Sequence, residues 1–299
     1  VDWPMRQHYE KVDFEPAGKE HYAQPGGSRI TSNETYEALY KESHPLDLKY
    51  DFIIIKGSGG KMSSSLGNVV DLPEALEVYE PEVLRYLFAG TRPNKEFAIS
   101  FDADVLKVYE DFDKCERIYF GLEKVSEKEE IKQKATYELS SVKKLPKTMP
   151  YQPGFRHLTT LLQVHGLDVE KSIGYFKKEL KNVHDKKRIK SRAECAKNWL
   201  EKYAPEEFKF SVQEKSQVQV AASHQKILQE FAQKLVQKEW TDVELHEEMY
   251  ALCKNNNVAP PEFFKVAYQV LINKERGPRL AAFILAIGKE KVADLLMKI

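Results

Sequence analysis

Cysteine is scarce in this chain of 299 residues. Cys115, Cys195 and Cys253 lie dozens of residues apart and fit no Cys-x-x-Cys spacing, which excludes a disulfide scaffold and a zinc ribbon. The thiols read as reduced and structural, which points to the cytoplasm. No apolar run approaches ~18 residues, so no helix is expected to cross a membrane. Before Val1-Asp2-Trp3-Pro4 there is neither an initiating methionine nor a basic-then-apolar leader. No secretory signal is therefore expected, and the chain reads as a processed product or an excised part of something longer. Net charge is also zero, with 46 basic and 46 acidic side chains, but the balance is uneven. Residues 1–150 carry 21 Lys and Arg against 27 Asp and Glu, residues 151–200 carry 11 against 5, and residues 201–299 carry 14 of each. The basic excess is confined to one stretch, the natural place for a polyanion contact.

What is present is a balance of 42% hydrophobic and 31% charged residues, that of a soluble globular protein, in a length suited to two domains. The first hundred residues are punctuated by Gly and Pro. Within them Tyr50-Asp51-Phe52-Ile53-Ile54-Ile55 reads as one buried strand ending in a loop at Gly57. Asp71 is placed to cap a helix carrying Leu72, Ala75, Leu76 and Tyr79, and Pro81 to open another that ends near Gly90. Phe101 to Gly121 is a further amphipathic helix. A Lys/Glu-rich segment follows and ends in the Pro146 to Pro153 turn cluster, where a domain boundary is expected. From Phe155 onward the pattern is helical, broken at Gly166, Pro205, Asn255-Asn256-Asn257 and Gly277-Pro278, with a final helix pair interrupted at Gly288.

The sharpest chemical feature is Gly57-Ser58-Gly59-Gly60-Lys61-Met62-Ser63-Ser64-Ser65. Glycines let backbone amides approach a polyanion, Lys61 offers a mobile charge, and the serines add hydroxyl donors ahead of a helix N-terminus. A Walker loop is excluded because Met62 stands where Ser or Thr must follow the lysine. The bland alternative is a Gly/Ser surface loop with a solvated lysine.

Lys61-Met62-Ser63-Ser64-Ser65, after a strand and before a helix, resembles the KMSKS signature of class I aminoacyl-tRNA synthetases. Trp3-Pro4-Met5-Arg6, Phe14-Glu15-Pro16-Ala17-Gly18-Lys19-Glu20-His21, Pro81-Glu82-Val83-Leu84-Arg85-Tyr86, Asn198-Trp199-Leu200-Glu201 and Gly277-Pro278-Arg279-Leu280 extend the likeness. Together they resemble the archaeal and spirochaete type of class I lysyl-tRNA synthetase over nearly the whole chain. Two departures stand out: Ser64 replaces the second lysine of the signature, and the eight histidines form no His-x-Gly-His. The likeness thus implies a C-terminal portion that starts after that other signature.

The implied fold is α/β over residues 1–120, the second half of a Rossmann-type catalytic fold with its stem-contact region. A linker or connecting helix over 121–150 and an all-α helical-cage anticodon-binding domain over 151–299 follow, mostly α overall. The implied activity is lysine–tRNA ligation through lysyl-adenylate, with this chain inactive alone. A glutamyl-type synthetase and a tRNA-binding module without catalysis are the alternatives. Lys61, Ser63, Ser64 and Ser65 would be catalytic, and Gly59, Gly60, Lys61 and Met62 would hold ATP, which brings Mg2+; no carboxylate is assigned to a metal. Trp3, Gly18, His21 and Tyr50 would line the lysine and adenylate pocket; a core tryptophan, a satisfied histidine and a turn glycine are the competing readings. Lys186, Lys187, Arg188, Lys190 and Arg192 would follow the phosphates of tRNA-Lys, unless they form a solvated face. A monomer is expected.

Overall fold

The computed structural model describes residues 2–57, 69–216 and 218–299. They fall into two compact units, Val1–Leu76 with Pro81–Leu145, and Glu77–Glu80 with Pro146–Ile299.

In the first unit, helix α1 (Asp2–Glu10) leads to strand β1 (Phe14–Gly18), a 3-10 turn (Lys19–Tyr22), helix α2 (Ser28–Tyr40) and strand β2 (Leu46–Tyr50). β1 and β2 pair in parallel, from Phe14 opposite Leu46 to Gly18 opposite Tyr50. Parallel neighbours need a crossover, which α2 supplies. Side chains alternate along a strand and paired residues share a face, so Phe14, Leu46, Leu48 and Tyr50 stand together, all exposed. Glu15 and Asp47 stand on the other face.

The expected single strand from Tyr50 to Ile55 is corrected. Tyr50 ends β2, and β3 (Ile53–Ile55) begins a second parallel pair with β4 (Phe97–Ile99). The division falls where the Asp51 amide donates to the Pro93 carbonyl (2.8 Å), and β3 is half-buried rather than buried. Asp71 does cap helix α3 (Leu72–Val78): its Oδ1 accepts from the Glu74 amide at 2.8 Å. Helix α4 (Pro81–Ala89) opens on its proline. Helices α5 (Asp104–Tyr119) and α6 (Glu127–Ser140) close this unit around Tyr109, Phe112 and Tyr137, whose hydroxyl donates to Glu116 at 2.8 Å.

The second unit is helical: α7 (Phe155–Val164), α8 (Val169–Gly174), α9 (Val183–Lys202), α10 (Ala222–Leu235), α11 (Asp242–Asn255), α12 (Pro260–Ile272), α13 (Leu280–Ile287) and α14 (Lys289–Met297). Phe155, Leu158, Ile189 and Trp199 form the core where α7 and α9 pack. A larger core gathers Phe231, Met249, Phe263, Leu271, Phe283 and Leu296 from α10 to α14. A polar tie lies beneath α9: the fully buried Arg192 donates from Nε to Glu80 Oε2 (2.6 Å) and from Nη1 to the Pro153 carbonyl (2.9 Å). Asn198 Nδ2 donates to the Glu77 carbonyl (3.0 Å). Among the described residues no helix is long and apolar enough to cross a membrane.

Candidate functional site

In the first unit Trp3, Arg6 and Gln7 recur on one side of α1 because residues three and four apart share a helix face. All three converge on Glu15. Trp3 Nε1 and Gln7 Nε2 donate to Oε2 at 2.8 and 2.6 Å, and Arg6 donates to Oε1. Arg29 of α2, fully buried, reaches Glu15 Oε2 at 3.4 Å and Asp47 Oδ2 at 3.1 Å, and its guanidinium lies 5.1 Å from the Trp3 ring centre. Asn33 Nδ2 also donates to Asp47 (2.9 Å). Burial pushes the Glu15 carboxyl up, but the bonds from Trp3, Arg6 and Gln7 and the Arg6 charge prevail and hold it down at about 2.

His21 joins this cluster. Its ring meets Trp3 edge-on at 5.6 Å, and its Nδ1 is 2.8 Å from Ser28 Oγ. The turn bearing His21 rests on Gly27, where a β-carbon would lie 2.5 Å from the His21 carbonyl, so only glycine allows the close approach. Gly18 is buried at the end of β1, but a β-carbon there would meet only the movable tip of Glu20. Tyr50 lies on the exposed face of β2 opposite to Glu15, so the structure does not bring it to Trp3 and His21.

Gly59, Gly60, Lys61, Met62, Ser63, Ser64 and Ser65 lie outside the described residues. The residues flanking them are fixed: Ile55 pairs with Ile99, the Lys56 amide donates to the Ile99 carbonyl (2.9 Å), and Asp71 caps α3.

On α9 the basic run divides by helical phase. Lys186, Lys187 and Lys190 are exposed, Arg188 is half-buried, and Lys190 pairs loosely with Glu170 across 3.3 Å in solvent. Arg192 is corrected: it falls in phase with the buried Asp185, Ile189, Ala196 and Trp199, and is spent on Glu80 and Pro153 inside the unit. It offers nothing to a phosphate backbone.

Residues 1–143 match the family model described as tRNA synthetases class I (K), and residues 168–298 that of an anticodon binding domain. The chain thus matches a class I synthetase region followed by an anticodon-binding domain. The lysine–tRNA ligase of Borreliella burgdorferi is 44% identical over 310 residues, which cover 100% of this chain and 57% of that protein. That of Treponema pallidum is 44% identical, covering 99% of this chain and 56% of its own, and that of Thermococcus kodakarensis 42%, covering 99% and 57%. The chain thus spans a little over half the length of these relatives.

Glu15, Arg29 and Asp47, the polar centre of the first unit, escaped the sequence reading. A usable signal was the Trp3, Arg6, Gln7, Glu10 stripe, which is polar where an apolar one is usual. A pH dependence follows from it. The folded carboxyl of Glu15 lies below its ordinary 4.5, so its stabilisation is complete above pH 4.5 and is lost as pH falls toward 2. Glu15→Gln is therefore expected to be less stable than the parent at neutral pH, with the gap closing on acidification. Urea titrations at stepped pH, read by tryptophan fluorescence, check this; a gap independent of pH contradicts it.

Proposed function

We propose that this chain is part of a lysine–tRNA ligase of translation, acting in the cytoplasm as a monomer. The observation that carries the reading is the order of the two family matches, the first falling on the first unit and the Glu77–Glu80 piece and the second on the rest of the helical unit, in a chain whose whole length aligns with 57% of a lysine–tRNA ligase. The lysine carboxylate attacks the α-phosphorus of ATP, which would arrive with Mg2+, and pyrophosphate leaves; the terminal ribose hydroxyl of tRNA-Lys then attacks the carbonyl of lysyl-adenylate, takes the acyl group and releases AMP. No enzyme nucleophile is needed. Trp3 and His21, held by Glu15, Arg29 and Ser28, offer an aromatic corner to the aliphatic stem and ammonium of lysine.

Amino-acid-dependent exchange of pyrophosphate into ATP tests the reading. The complete enzyme should exchange with lysine, and the 299-residue chain alone should not. Exchange driven by glutamate instead would overturn the choice of amino acid.

The exposed lysines of α9 supply backbone contact with tRNA. Neutralising Lys186, Lys187 and Lys190 together should lower the slope of log affinity against log salt by roughly 0.7–0.9 per lysine. All tRNAs should weaken about equally, since phosphates carry no sequence information. Filter binding across a salt series checks this, and an unchanged slope makes the run a solvated face.

A further inference from the structure

Arg29 lies fully buried in the first unit and reaches both strands of its first sheet from α2. Its Nε donates to Asp47 Oδ2 of β2 (3.1 Å) and its Nη1 to Glu15 Oε2 of β1 (3.4 Å). Asn33, one turn further along α2, donates to the same Asp47 oxygen at 2.9 Å, so two residues four apart grip one carboxylate. For stability alone this is a poor arrangement. Arg29 Nη2 and the Ser32 hydroxyl are buried with no hydrogen-bond partner among the described residues, and a buried ion pair often adds no more than apolar side chains of similar volume.

What an apolar side chain at position 29 could not do is hold an indole. Three contacts fix the Trp3 ring, and each leads to Arg29 or to its neighbour in the chain. The guanidinium lies over the ring, 5.1 Å from its centre. The ring nitrogen donates to Glu15 Oε2 at 2.8 Å, the oxygen that Arg29 also reaches. The His21 ring meets Trp3 edge-on at 5.6 Å, and its Nδ1 lies 2.8 Å from the hydroxyl of Ser28, the residue before Arg29 on α2. Trp3 and His21 are both half-buried, so each keeps open surface while its other side is fixed.

We propose that Arg29 is a positioning residue for the amino-acid substrate: it touches no substrate itself, but holds the Trp3 ring from its face and through Glu15, and so sets the corner that Trp3 and His21 offer to lysine. The inference rests on the ligase reading above and adds to it a residue that acts through another. The shape of the cation matters to this role. A guanidinium is flat and presents a rigid fork, so it can lie over an indole while reaching two carboxylates on different strands. The ammonium of a lysine at the same position is a compact point charge and cannot do both. Arg29→Lys therefore keeps the charge and loses the geometry.

The test is lysine binding by the complete enzyme, measured by equilibrium dialysis with radiolabelled lysine, alongside the KM for ATP in pyrophosphate exchange. Arg29→Lys should weaken lysine binding about 10-fold, within the range of couplings between residues in contact, and leave the KM for ATP unchanged. Trp3→Leu should weaken lysine binding as well. In that background Arg29→Lys should cost nothing further, because its effect passes through the indole. Additive losses, parental affinity in Arg29→Lys, or a rise in the KM for ATP that matches the loss of lysine affinity overturn the proposal and leave the ligase reading standing. If urea titration shows Arg29→Lys to be unfolded at neutral pH, Asp47→Asn, which loosens Arg29 from β2 and leaves Glu15 in place, is held to the same outcomes. A parent enzyme that binds no lysine overturns both.

Discussion

Arg192→Ala should destabilise the helical unit by about 3–5 kcal/mol, the usual cost of removing one partner of a buried ion pair. The guanidinium is fully buried, and its loss takes a charged donor from the nearly buried Glu80 carboxylate and from the Pro153 carbonyl. A buried carboxylate that loses its guanidinium is pushed toward protonation or hydration, and either route disturbs the packing of α9 around Trp199 and Ile189. The midpoint of urea unfolding, followed by tryptophan fluorescence, measures the loss. Removing both charges, as in Arg192→Met with Glu80→Leu, should recover most of it, because apolar pairs of similar volume often replace buried ion pairs at little cost. A single variant as stable as the parent would mean that the pair is solvated.

On the lysine–tRNA ligase reading proposed above, Lys61→Ala in the complete enzyme should slow lysyl-adenylate formation about 10²- to 10³-fold, the effect of losing one well-placed charge-stabilising donor. Negative charge grows on the pentacoordinate phosphorus and the departing pyrophosphate during attack. Lysine binding precedes that charge, so the Kd for lysine should change little. Ser64 stands where a second lysine of the signature would share the load, which concentrates the effect on Lys61. Single-turnover formation of adenylate, measured by rapid quench, separates the two quantities. An unchanged single-turnover rate would assign the loop a structural role.

The helices were legible in the sequence because each leaves two independent marks, a periodic apolar face and a chemical end. Asp71 with Pro81 and the final pair broken at Gly288 are examples. β1 left neither mark. Phe14-Glu15-Pro16-Ala17-Gly18 contains no β-branched residue, and its extended form depends on β2, which lies beyond a whole helix in sequence. The opposite error joined Tyr50 to Ile55, since one apolar run can supply strands to two sheets when a hydrogen bond such as that of Asp51 turns the chain between them. At the site, Trp3 and His21 were visible through family likeness, and they do meet. Glu15, Arg29 and Asp47 were not, because a buried charge looks like any other charge until its partners are placed. Arg192 was misread for that reason, although its phase with Ile189, Ala196 and Trp199 was there to be seen.

Glu77–Glu80 is a four-residue piece of the helical unit that the chain delivers between α3 and α4, far from the rest of that unit in sequence. No single cut therefore separates the two units as interchangeable cassettes. A chimera joined near residue 145 would take Glu80 from one parent and Arg192 from the other, so recombination between relatives keeps this unit intact only where both parents conserve the pair or have changed it together. For protein engineering, the transferable anticodon-side module is residues 146–299 accompanied by a graft at 77–80.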